Sequence, residues 1–107
     1  MAQLAYLPIR PERGFPQKFQ CRIRRVMLEF VIRYNAEGNF YTIDVLDQDG
    51  APIVYGRPVI YGADVLDGII DDRLPPVSLV AADIAGQRHN VGQGTLGEDV
   101  QLWVVDR

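Results

Sequence analysis

Val26-Met27-Leu28-Glu29-Phe30-Val31-Ile32-Arg33-Tyr34, then Asn35-Ala36-Glu37-Gly38-Asn39, then Phe40-Tyr41-Thr42-Ile43-Asp44-Val45-Leu46-Asp47: this stretch decides the fold. Side chains of a strand point alternately to opposite faces, so a strand with one buried face reads with period two. Val26, Leu28, Phe30, Ile32 and Tyr34 share one face, and Met27, Glu29, Val31 and Arg33 the other. In the second run Tyr41, Ile43 and Val45 share a face, with Thr42 and Asp44 opposite. The five residues between carry turn chemistry of hairpin length. Asp47-Gln48-Asp49-Gly50 supplies the next turn, which predicts an antiparallel meander.

Outward from this hairpin the pattern persists in shorter pieces. Residues 53–55 and 59–61 form one kinked strand or two short ones about Gly56-Arg57-Pro58, since proline suits a strand end, edge or bulge. Residues 62–68 hold one helical turn or a wide loop. Arg73-Leu74-Pro75-Pro76 is a loop, because paired prolines cannot donate to a ladder. Residues 77–83 read as a strand with Val77, Leu79 and Ala81 on one side, and 85–97 as a glycine-rich loop. In a closing strand over 100–105, Val100, Leu102 and Val104 alternate with Gln101, Trp103 and Val105. Both of its faces are partly apolar, as in a central or interface strand. Toward the N-terminus, residues 3–9 and 15–23 are predicted strands separated by Pro8, Pro11, Gly14 and Pro16. Six to eight short strands and no helix longer than a turn give one all-β domain over residues 1–107. Its expected form is a small antiparallel β-barrel or sandwich with long irregular loops, and residues 1–16 form an extended N-terminal arm.

Composition narrows the function. The 107 residues suit one domain, and 48% apolar content argues against disorder. No apolar run reaches the roughly 18 residues of a membrane span, and residues 1–9 lack the basic start and apolar stretch of a signal peptide. One cysteine, Cys21, excludes an internal disulfide and a cysteine-based metal cage, and one histidine, His89, excludes a multi-histidine site. Residues 1–33 hold seven basic and two acidic groups, net +5, whereas residues 34–107 hold four basic and twelve acidic, net −8. Either the two parts neutralise each other in the fold, or the chain shows two differently charged faces to different partners. Specific nucleic-acid binding is not expected, because the overall balance is acidic and no recognition motif is present.

Candidate sites are weak one by one. Gly92-Gln93-Gly94-Thr95-Leu96-Gly97 fits Gly-x-Gly-x-x-Gly, but the ten residues after it leave no room for the helix that would meet a pyrophosphate. Asp64, Asp67, Asp71 and Asp72 cluster as in a calcium site, yet aspartates beside glycines are mostly turn formers. Ser78 and His89 lack a nucleophile-elbow pattern, and Cys21 reads as a half-buried small apolar residue. No catalytic, cofactor or metal residue is assigned. Phe40, Tyr41, Tyr55, Tyr61 and Trp103 are many aromatics for so short a chain, which suggests that another subunit buries some of them.

The motifs together point further. Phe30 to Tyr34 running into Asn35, Thr42-Ile43-Asp44-Val45, Asp47-x-Asp49-Gly50, Tyr55-Gly56, Tyr61-Gly62-Ala63-Asp64-Val65-Leu66 and the closing Gly97-Glu98-Asp99-Val100-Gln101-Leu102-Trp103 keep a characteristic order and spacing. With the opening Leu7-Pro8-Ile9, they resemble the baseplate plug proteins of contractile-tailed bacteriophages, cyanophage plugs included. The resemblance spans about residues 4–106. It implies a small β-rich, non-enzymatic virion protein near the centre of the tail baseplate, assembled in the host bacterial cytoplasm. It also implies packing against hub, spike and tube-initiator proteins. Beside these neighbours, copies of the chain in a threefold or sixfold assembly are expected. Expected interface residues are Leu4, Tyr6, Arg10, Arg13, Phe15, Arg24, Arg25 and Trp103, with residues 1–20 and the loops 62–76 and 85–98 making the contacts. The rival readings are a small ligand-binding β-barrel and a module that binds carbohydrate through a row of exposed aromatics.

Overall fold

The computed structural model describes residues 5–83, 96–97 and 100–106. Strands β2 (Gln17–Ile23), β3 (Val26–Asn35), β4 (Phe40–Asp47) and β5 (Pro52–Pro58) form an antiparallel sheet in that order. Its turns come from local chemistry. Asn35 Oδ1 accepts the Gly38 N–H at 3.1 Å, and Asp47 Oδ1 accepts those of Asp49 and Ala51 at 3.0 and 2.9 Å. Phe30 stands opposite Val45, Ile32 opposite Ile43 and Tyr34 opposite Tyr41, so the alternation seen in sequence places one apolar face in register across the sheet.

The second sheet is assembled from distant parts of the chain. Strand β7 (Gln101–Asp106) lies between β1 (Ala5–Tyr6) and β6 (Val77–Ala82), antiparallel to both. A single core cluster draws Phe30, Ile32 and Ile43 from the four-stranded sheet and Leu79, Ala81 and Leu102 from the three-stranded one. Among the described residues, seven strands in two sheets around one core match the expected all-β class, in its two-sheet rather than closed-barrel form.

Several local expectations change. The stretch 53–61 is one kinked strand for most of its length: β5 runs through Gly56 and Arg57 to Pro58, the Val59 N–H still donates to Tyr41 O at 2.9 Å, and residues 60–61 leave the sheet. The register of β4 against β5 shifts between Ile43 and Leu46, a bulge that absorbs the positive φ of Gly56 (67°). Tyr61 and Asp64 instead form single bridges to Ala81 and Val80 of β6. Residues 62–68 are turns with no helix. Among the described residues the N-terminal strand covers Ala5–Tyr6 and stops short of Pro8, which has no N–H to offer a ladder. From Ala5 onward the segment expected as an arm lies on the domain. Leu7 is wholly buried, its N–H donates to Leu102 O at 3.0 Å, and Ile9 joins the core. Removal of residues 2–14 would therefore take two core side chains with it, and would read stability rather than assembly.

Candidate functional site

The residues singled out from sequence occupy three separate places. Leu4 lies outside the described residues. Tyr6 and Trp103 face each other across the β1–β7 ladder, with ring centroids 5.0 Å apart and planes at 70°. The Trp103 Nε1–H donates to Ala82 O at 3.0 Å, which fixes the indole against β6, while Tyr6 stays half exposed. Edge-to-face rings give no flat platform of parallel aromatics. Arg10 and Arg13 flank the 3-10 turn Pro11–Arg13, which leads into β2. Gln17 clamps that turn, its amide accepting from Arg10 N–H at 3.0 Å and donating to the carbonyls of Arg10 and Gly14. Phe15 turns inward and packs edge-on against the buried Tyr41 at 5.0 Å.

Arg24 and Arg25 form the two-residue turn between β2 and β3, with φ of 50° and 70°. Such a turn needs positive φ at both central positions, which is why Asn-Gly usually occupies it. Two arginines here accept a left-handed cost of about 1–2 kcal/mol each. Arg24 regains part of it through Asp106, whose Oδ1 accepts from Nε at 2.6 Å, so the hairpin tip of one sheet is tied to the end of β7 in the other. Arg25 has no partner among the described residues.

Asp44 is the functional-looking group that the sequence pattern hid. The period-two reading puts it on the face away from the core, yet it is only 2% exposed. The bulge explains this: Asp44 Oδ1 accepts the Gly56 N–H at 2.8 Å, and Oδ2 pairs with Arg33. Arg33 in turn lies over the ring of Tyr55, 5.8 Å from its centroid, and its pKa is raised by the hydrogen bond to Asp44. Tyr55 itself is 76% exposed. The available signal was a carboxylate in a strand facing a Tyr-Gly pair on the next one.

The aspartate cluster is divided among turns. Asp64 Oδ1 accepts the N–H groups of Leu66 and Leu79, both at 2.9 Å, which pins the 61–66 segment to β6. Asp71 and Asp47 share Arg73, at 2.6 and 3.0 Å. The hydrogen bond to Arg73 pulls the Asp71 pKa down to about 2. Asp47 is lowered chiefly by the Ala51 N–H and then by Arg73. An open cleft of about 480 Å³ lies beside this group, between Arg25, Met27 and Asp49. Among the described residues no three His, Cys, Asp or Glu side chains converge as metal ligands. Burial raises the Cys21 thiol, the opposite of activation.

Within Gly92–Gly97 only Leu96 and Gly97 are described. Gly97 has φ 89°, and a Cβ there would come within 2.8 Å of Pro11 Cδ and 3.1 Å of Ile9 O. This glycine lets two chain segments touch. His89 lies outside the described residues, and Ser78 sits within β6.

The charge asymmetry is partly settled inside the fold, since Arg24–Asp106 and Arg33–Asp44 join the basic first third to the acidic remainder. Arg10, Arg13 and Arg25 stay on the surface at turns, and Tyr6 and Tyr55 on strands. No helix among the described residues is long and apolar enough to cross a membrane. No curated protein matches the chain. The sequence does match a family over residues 4–107, nearly its whole length, and the chain therefore belongs to the family described as Cyanophage baseplate Pam3 plug gp18.

Proposed function

We propose that this protein is the plug of a contractile phage tail, a structural component that braces or seals the junction of tube, hub and spike. The observation that carries this reading is the family match over residues 4–107. The fold supports it. Two sheets share one core without a disulfide, in keeping with assembly in a bacterial cytoplasm. Exposed Tyr6, Tyr55 and Ile70, the last 99% exposed, offer apolar area to neighbours. Its partners would be hub, spike and tube-initiator proteins, with further copies of the chain in threefold or sixfold order.

The test is quantitative mass spectrometry of purified particles, counted against a tail-tube protein. A low fixed copy number in threes or sixes is expected. Absence of the chain from particles would sink the structural reading and return attention to ligand binding by the monomer.

A further inference from the structure

The two sheets have four edges, and three of them are closed. Strand β5 carries proline at both ends and a bulge in its middle. Strand β6 is bridged by Tyr61 and Asp64. Strand β1 spans two of the described residues, Ala5–Tyr6, before Pro8. These are ordinary ways of keeping an edge from recruiting another chain. Strand β2 has none of them. Its seven residues Gln17–Ile23 pair with β3 in unbroken register, and the strand contains no proline.

The orientation of the free edge follows from the turn. In a two-residue hairpin the closing pair, Ile23 and Val26, exchanges hydrogen bonds, and bonded and non-bonded pairs alternate from there. Cys21, Phe19 and Gln17 therefore bond to β3, while the backbone N–H and C=O groups of Lys18, Gln20 and Arg22 point away from the sheet. None of these groups bonds to another described backbone group. The side chains of Lys18, Gln20 and Arg22 are exposed, Lys18 even though its ammonium lies 3.5 Å from Glu29 on β3, whereas Phe19 and Cys21, facing the core side, are only half covered. At the start of the strand, Arg10, Arg13 and Lys18 line a cleft of about 260 Å³ with Pro8 and Phe19. At its end stand Arg24 and Arg25, held in backbone geometry that costs stability.

We propose that the β2 edge is a docking rail for an extended acidic segment of a neighbouring protein, which adds to the four-stranded sheet as a fifth antiparallel or parallel strand. The segment would carry carboxylates at alternate positions, opposite Lys18 and Arg22, and apolar residues between them over Phe19 and Cys21. A second copy docked through the same edge does not fit. An antiparallel β2–β2 pair centred on Gln20 sets Lys18 directly against Arg22, a like-charge pairing that weakens a ladder. This inference rests on the plug reading and specifies how the plug is held.

Two variants of the full chain test it. Lys18→Glu/Arg22→Glu reverses the rail's charge and keeps its backbone. Gln20→Pro removes an outward N–H that β3 does not use, a position where an edge strand tolerates proline. Each is first checked for native circular dichroism and then produced during phage growth, and its copies per purified particle are counted. Both folded variants are expected to fall at least tenfold below wild type. Wild-type copy number for either folded variant overturns the rail while leaving the plug reading intact. Should Gln20→Pro fail to fold, the charge reversal alone decides in the same way. Absence of the wild-type chain from particles overturns both.

Discussion

The two sheets are built from the same kind of strand but by opposite routes. The four-stranded sheet is a meander whose neighbours follow one another in sequence, joined by turns of two to four residues. The three-stranded sheet brings Tyr6 against Trp103 and Val77 against Asp106. The first carries its own instructions in each hairpin. The second depends on the core that the first provides, since the described part of β1 pairs two residues with β7 and the segment after it delivers Leu7 and Ile9 to the common cluster. Cooperation between the sheets rests on that shared burial, with the Arg24–Asp106 pair as a side-chain tie between them.

That contrast can be broken at its strongest point. Phe30→Ala empties the centre of the meander and is expected to cost about 3–5 kcal/mol, and Leu7→Ala, on the other side of the core, about 2–5 kcal/mol. In urea, circular dichroism and Trp103 fluorescence should move together for both variants, because one core makes one transition. A Leu7→Ala protein whose fluorescence unfolds before its circular dichroism would show the three-stranded sheet to be a separate unit. Next in size, Asp44→Ala strips the bulge of its acceptor and Arg33 of its partner, an expected loss of about 1–3 kcal/mol. Asp44→Asn, which keeps one acceptor oxygen, should lose less. Arg25→Gly relieves a left-handed arginine and is expected to raise stability by about 1 kcal/mol, with the Arg24–Asp106 tie retained. An unchanged urea midpoint would show that the turn holds no strain.

The smallest effect is a pH slope. Asp47 and Asp71 have native pKa values below those of the unfolded chain, that of Asp71 near 2. Their contribution is thus complete above the usual carboxylate range and fades as the pH falls from about 4 toward 2. Arg73→Gln should flatten the fall of the melting temperature across that interval. An identical slope in the variant would mean that the Arg73 cluster, which ties the β4–β5 turn to the chain leading into the second sheet, carries no weight.

Legibility in sequence tracked the same divide. The strands 26–35 and 40–47 were readable because both faces of each hairpin lie in one continuous stretch, where alternation and turn residues reinforce each other. Gly56-Arg57-Pro58 reads in sequence as either a kink or a break, and the bulge around Asp44 decides for the kink. Asp44 was hidden because period two reports which face a residue is on, and not whether a neighbouring strand folds over it. Arg24-Arg25 carries none of the residue types that announce a tight turn, so nothing local marked it. The place of β1 beside β7 depends on contacts almost a chain length apart, which no local pattern encodes. The interface candidates Tyr6 and Trp103 proved to be neighbours, while Arg24 and Arg25 stand apart from them at a hairpin tip.

The pairing of β1 with β7 also sets an order of events during synthesis. Joining Tyr6 to Trp103 closes a loop of nearly the whole chain, an entropic cost of about 3 kcal/mol beyond that of a minimal turn. The meander can form as soon as residues 17–58 have emerged. Tyr6, Leu7 and Ile9 must then wait, with their apolar surface uncovered, until the final strand arrives. Until β7 is made, Tyr6, Leu7 and Ile9 are apolar groups without their cover, and synthesis of residues 100–106 is the step that hides them.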